Sequence, residues 1–98
     1  MIVEIECLPN PPGPPDRRYG HVEAAIAVAQ SSGLRYEVGA LGTTFEGEPD
    51  EVWRVLRAMH EACLADGAGS VVTIVKLAQS RDAAEAPSMA SLTGKFRS

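Results

Sequence analysis

A chain of 98 residues with 45% hydrophobic content supports one compact core and excludes two. Its formal net charge of -4 argues against a nucleic-acid backbone or an anionic membrane as the main partner, because both need a basic stripe. A neutral or cationic small molecule fits that charge better, and the thin margin of so small a core favours partner subunits.

Met1 runs directly into IVEIECL with no leader of the charged, apolar and small-residue kind, so a cytoplasmic protein is expected. No apolar run approaches the roughly 20 residues a bilayer span requires. Cys7 and Cys63 lack metal-ligand spacing and a companion cluster, which predicts buried free thiols.

Residues 2–8 alternate, with Val3, Ile5 and Cys7 on one side and Glu4 and Glu6 on the other, as in a strand buried on one face. PNPPGPPD should end it, since five prolines in seven residues supply neither ladder donors nor helical freedom. Asp16 is a plausible N-cap for a first helix, whose start could fall anywhere from Asp16 to His21. Val22, Ala25, Ile26 and Ala29 recur at helical spacing and Gly33 offers the stop.

LRYEVGAL and TTFEG then read as a hairpin, with Gly42 at a bend that calls for positive φ. Pro49, Asp50 and Glu51 open a second helix, because proline suits its first position and carboxylates suit the positive end of its dipole. Val52, Leu56, Met59 and Cys63 line its buried face, Trp53, His60 and Leu64 widen that stripe, and ADGAG ends it. SVVTIVKLA is a β-branched strand. Residues 83–98 form a polar tail with a short helix near Ser88 to Gly94.

The order β-α-β-β-α-β predicts an α+β, ferredoxin-like domain over residues 1–82: a four-stranded antiparallel sheet with both helices on one face. Alternation sends Glu4, Glu6, Thr44 and Glu46 to the open face, joined by Glu37 and Lys76 if Tyr36, Val38, Val75 and Leu77 face the core. Like charges on adjacent strands, about 5 Å apart, repel by up to roughly 3 kcal/mol at an effective dielectric near 20. A cation among them, from a ligand or another chain, would relieve that; a solvated acidic face is the plainer alternative.

Other chemistries find little support. Glu4, Glu6 and Glu46 offer oxygens to a hard cation, but strands rarely converge as an ion-binding loop does, so no metal site is expected. His60 and Glu61 begin like a helical zinc motif, yet Leu64 stands where the second histidine belongs. Neither cysteine nor either histidine sits in a hydrolase pattern, and GALGTTFEG lacks the lysine of a phosphate loop. A catalyst is therefore not expected.

The run SGLRYEVGALGTTFEGEPDEV resembles the centre of the small thiamine-binding proteins of the YkoF type, and VVTIVKL, Arg81-Asp82 and SMASLTGKF resemble their closing segments. The resemblance implies a non-catalytic binding or carrier protein, assembled as a dimer or tetramer, that needs no cofactor and takes thiamine or its hydroxymethylpyrimidine portion near a subunit interface. It matches Tyr36, Glu37, Gly42, Thr43, Glu46, Thr73 and Lys76 to the family's motif, and the acidic face adds Glu4 and Thr44. The alternative is an interaction or regulatory module whose acidic face only makes subunit contacts.

Overall fold

The computed structural model describes residues 1–97. Its elements are β1 (Ile2–Asn10), α1 (Gly20–Ser31), β2 (Arg35–Val38), β3 (Thr43–Glu46), α2 (Pro49–Ala65), β4 (Ser70–Ala78) and, after a short 3-10 turn, α3 (Met89–Thr93). The four strands make one antiparallel sheet in the order β2-β3-β1-β4, as the ferredoxin-like reading requires.

β1 continues past its expected end through Pro9 and Asn10, which pair with Val71 and Ser70 of β4. Beyond Ile5 no residue of β3 pairs with it, so that stretch is a sheet edge, where strand prolines are tolerated. The loop then closes by turns: Arg17 N–H donates to Pro14 O at 3.0 Å, Gly20 N–H to Arg17 O at 2.9 Å and His21 N–H to Pro12 O at 3.0 Å. Those turns delay α1 to Gly20, with Tyr19 and not Asp16 at its N-cap. Gly13 lies beneath them, where a Cβ would come within 2.0 Å of Arg17 O.

Val3, Ile5, Phe45, Val52, Val55, Met59 and Cys63 are the large fully buried side chains, between the sheet and α2, with Ala25 and Ala29 of α1 closing the core. Burying Phe45 alone is worth about 1.5–3 kcal/mol. On α2 the buried set is Val52, Val55, Met59 and Cys63, so Leu56 and His60 are half-buried at its margin while Trp53 and Leu64 face outward. The i, i+3, i+7, i+11 spacing from Val52 follows the helical period and leaves Trp53 roughly a third of a turn off the core direction. Helix ends fall at left-handed glycines, Gly33 after α1 (φ 82°) and Gly67 after α2 (φ 114°).

Candidate functional site

Cross-strand register aligns Glu37 of β2, Thr44 of β3, Glu4 of β1 and Lys76 of β4 in one row on the face opposite the helices. Arg35, Glu46, Ile2 and Ala78 form the next row, and Glu6 pairs with Ile74 beyond the end of β3. The expected sorting of Glu4, Glu6, Glu37, Thr44, Glu46 and Lys76 to one face therefore holds. The expected crowding does not: Thr44 separates Glu37 from Glu4 by two strand spacings, about 10 Å, which roughly halves the repulsion of adjacent positions.

Each of three carboxylates also has a cation of its own. Lys76 Nζ lies 3.8 Å from Glu4 Oε1, Arg35 Nε 4.0 Å from Glu46 Oε1, and Arg97 of the C-terminal arm donates to Glu37 Oε1 at 3.1 Å. The single ammonium anticipated for this face is thus joined by two guanidinium groups. Arg97 lies 60 residues from Glu37 in the chain, in a polar tail without periodicity, so no local pattern could have revealed it.

Glu4, Glu37, Gly42, Thr44 and Arg97 border a cavity of about 360 Å³ whose end is closed by the β2–β3 loop. In that loop Gly39 N–H donates to Gly42 O at 2.8 Å. Gly42 does not have the positive φ expected of it; instead it sits close to β1, where a Cβ would lie a tight 3.2 Å from Ile5 O and in ordinary contact, at 3.5 Å, with Glu4 Cγ. A side chain at this position would press on the neighbouring strand. On the helix side the same loop covers a second, mainly apolar cavity of about 230 Å³, bordered by Ile5, Tyr19, Ile26, Leu41 and Met59. Val22 and Ile26 border it too, which is why these two residues of α1 are only half-buried.

Three further candidates lie on the helix side. Tyr36 pairs with Phe45 and Thr43 with Ile5, while Thr73 pairs with Cys7. Thr43 is buried, and Tyr36, on the outermost strand, is 38% exposed. Thr73 is a structural bridge: its hydroxyl donates to Cys7 Sγ at 3.9 Å, which leaves its oxygen to accept from Nδ1–H of His60 on α2. Burial pushes the Cys7 thiol up, and burial together with the neighbouring Cys7 pushes Cys63 up to about 11. Both thiols are free, and neither is activated as a nucleophile. His21 is likewise structural: its Nδ1–H donates to Asp66 Oδ2 at 2.8 Å, joining the start of α1 to the end of α2.

Glu46, the remaining candidate, turns toward the arm. Its Oε2 accepts the backbone N–H of Met89 at 2.9 Å, and Met89 itself is buried. The arm therefore touches two carboxylates of the open face, part of which the sequence left bare.

The sequence profile described as thiamine-binding protein matches residues 3–95. The chain belongs to that family. Among its relatives, a UPF0045 protein of Clostridium perfringens is 35% identical over 75 residues, covering 76% of this chain and 77% of its own. A UPF0045 protein of Methanothermobacter thermautotrophicus is 38% identical over 64 residues, covering 64% and 65%. The structure of a domain of unknown function, DUF77, from Bacillus cereus superposes with a TM-score of 0.79 at 33% identity, over 99% of this chain and 91% of that one. A structure from Thermotoga maritima, described as a proposed thiamine biosynthesis or salvage protein, gives a TM-score of 0.80 over 98% and 97%; at 24% identity it establishes the shared fold. No helix among the described residues is long and apolar enough to cross a membrane.

Proposed function

We propose that the protein binds thiamine, or its hydroxymethylpyrimidine portion, without covalent chemistry, in the open-face cavity beside the Gly39–Gly42 loop, and serves as a cytoplasmic binding or carrier protein. The observation that carries this reading is the row Glu37, Thr44, Glu4 across three strands at the edge of a cavity of about 360 Å³. That volume falls within the range of about 300–1,000 Å³ common for small-molecule sites. Thiamine joins a delocalised cation to a flat pyrimidine with hydrogen-bonding edges. Two carboxylates suit the cation, the Thr44 hydroxyl can donate or accept, and the glycines let a ring approach backbone closely. Membership of the thiamine-binding family supports the ligand class.

The role assigned to Lys76 is to neutralise Glu4 and leave Glu37 as the principal anion. Tyr36, Thr43 and Thr73 support the sheet from beneath and do not contact ligand in this reading. Calorimetry of the purified protein with thiamine and with its separate pyrimidine and thiazole portions tests it. Heat that saturates with thiamine, lost in Glu37→Gln, is expected; no heat at near-millimolar thiamine overturns the proposal.

A second reading, self-association through the open face, is favoured by a different part of that face. Leu8, Val72 and Ile74 lie there beside the acidic row, 46%, 63% and 50% exposed. The contact between copies would then be apolar, and the acidic row would remain for ligand.

A further inference from the structure

We infer that the C-terminal arm is an internal competitor for the cationic ligand, its Arg97 guanidinium holding the Glu37 carboxylate that a bound cation would otherwise engage. The inference rests on the binding reading above and adds a regulatory element to that site.

Three observations carry it. Arg97 donates to Glu37 Oε1 at 3.1 Å while bordering the cavity that Glu4 and Thr44 also border. Guanidinium and thiazolium are both planar, delocalised cations, so either can offset the charge of one carboxylate, the guanidinium with N–H donors as well. The arm is also held unequally along its length. At its root Met89 is 3% exposed, its N–H is bonded to Glu46, and Ser88 and Ser91 cap α3 reciprocally. At its end the Arg97 side chain is 59% exposed, and exposed ion pairs of this kind are weak and screened by salt. A Cβ placed on Gly94, between root and end, would meet no atom within 4 Å, so nothing packs against that side of the arm. Arg97 can therefore leave Glu37 by rotation of its own exposed side chain while Met89 stays seated.

Competition of this form lowers apparent affinity by the fraction of molecules in which Glu37 is already held. Its effect is larger for charged ligands, because a neutral ring gains at most a hydrogen bond from the freed carboxylate.

Calorimetric titration of the full-length wild type, Arg97→Gln and Arg97→Lys with thiamine and with neutral hydroxymethylpyrimidine tests the inference. The expected result is a dissociation constant for thiamine about two- to fivefold lower in Arg97→Gln, the range open to an exposed ion pair, with Arg97→Lys close to wild type and the neutral ring changed clearly less. Binding by Arg97→Gln alone also supports it. Equal thiamine affinity in wild type and Arg97→Gln overturns the inference and leaves the binding reading intact. Equal tightening for the neutral ring overturns it as well, since the arm would then act by bulk. No heat from any of the three proteins overturns the binding reading and the inference with it.

Discussion

Glu46 Oε2 accepts the backbone N–H of Met89 at 2.9 Å, fastening the C-terminal arm to β3 across 43 residues of chain. The Glu46 side chain is only 20% exposed, so this bond is shielded from water on most sides. Glu46→Ala removes the acceptor and leaves the amide of a buried methionine unpaired. A loss of about 1–2 kcal/mol is expected, read as a lower denaturant midpoint. Glu46→Gln retains a carbonyl acceptor and should lose less. Proteolysis within residues 83–97 should quicken in the alanine variant and little in the glutamine one.

Thr44 and Thr73 face opposite sides of the sheet and should separate binding from stability. Thr73→Val strands Nδ1–H of His60 at the sheet–helix junction and removes the donor to Cys7. It should cost about 1–2 kcal/mol while leaving thiamine titration unchanged. Thr44→Val keeps the β-branched shape, so stability should hold, but thiamine should bind several-fold more weakly. The reverse outcome would move the ligand to the helix side.

Which residues share a face was legible in the sequence, because strand alternation has a period of two and the apolar set Val3, Ile5 and Phe45 can point only one way. Which residues share a row was not. Thr44 falls between Glu37 and Glu4 through the registers of β1, β2 and β3 together, and no single strand records the other two. The helical period likewise located α2 but allowed Leu56 to stand for Val55, since both lie within one apolar arc and only packing against the sheet selects between them. Gly42 was marked as special for the wrong reason: composition shows a glycine, whereas the Ile5 carbonyl that a Cβ would press against belongs to another strand. Arg97 lay beyond any local pattern because its partner is 60 residues away.

Asp66 makes stability depend on pH in the acid range. The Nδ1–H of His21 foremost, with Arg17 NH2 at 3.5 Å, holds its carboxyl below the usual carboxylate value. A carboxylate with a depressed folded pKa stabilises the fold above its unfolded value, about 3.9, and that contribution disappears as pH falls through the folded one. Denaturant midpoints of the wild type should thus fall below about pH 4, with a shallower fall in Asp66→Asn. At pH 7 the asparagine variant should be the less stable of the two.

The two thiols should be slow to react in the folded protein. Cys63 is fully buried and its thiol is pushed up to about 11, so almost none is thiolate at pH 8. Cys7 is half-buried and raised by the same cause. Labelling with an aromatic disulfide reagent should therefore follow unfolding, both thiols reacting together as denaturant is raised. Rapid labelling of either in native buffer would show that β1 and α2 separate locally.

Ile74→Lys tests the apolar part of the open face without threatening the fold. β4 is an outer strand of the sheet, and Val72 and Ile74 project from it beside Leu8 with no helix above them. Exposed apolar side chains on a long edge strand favour contact with another copy. The wild type is accordingly expected to sediment at a multiple of 10.4 kDa. Register pairs Ile74 with Glu6 on β1, so a lysine at 74 would stand directly opposite a carboxylate, an arrangement that sheets favour. Its thermal midpoint at low protein concentration should remain near that of the wild type, while its ammonium must lose water if a second copy covers the strip. Sedimentation should then show monomers for Ile74→Lys. An unchanged mass would move the contact to another surface, and a monomeric wild type would remove the basis for any contact there.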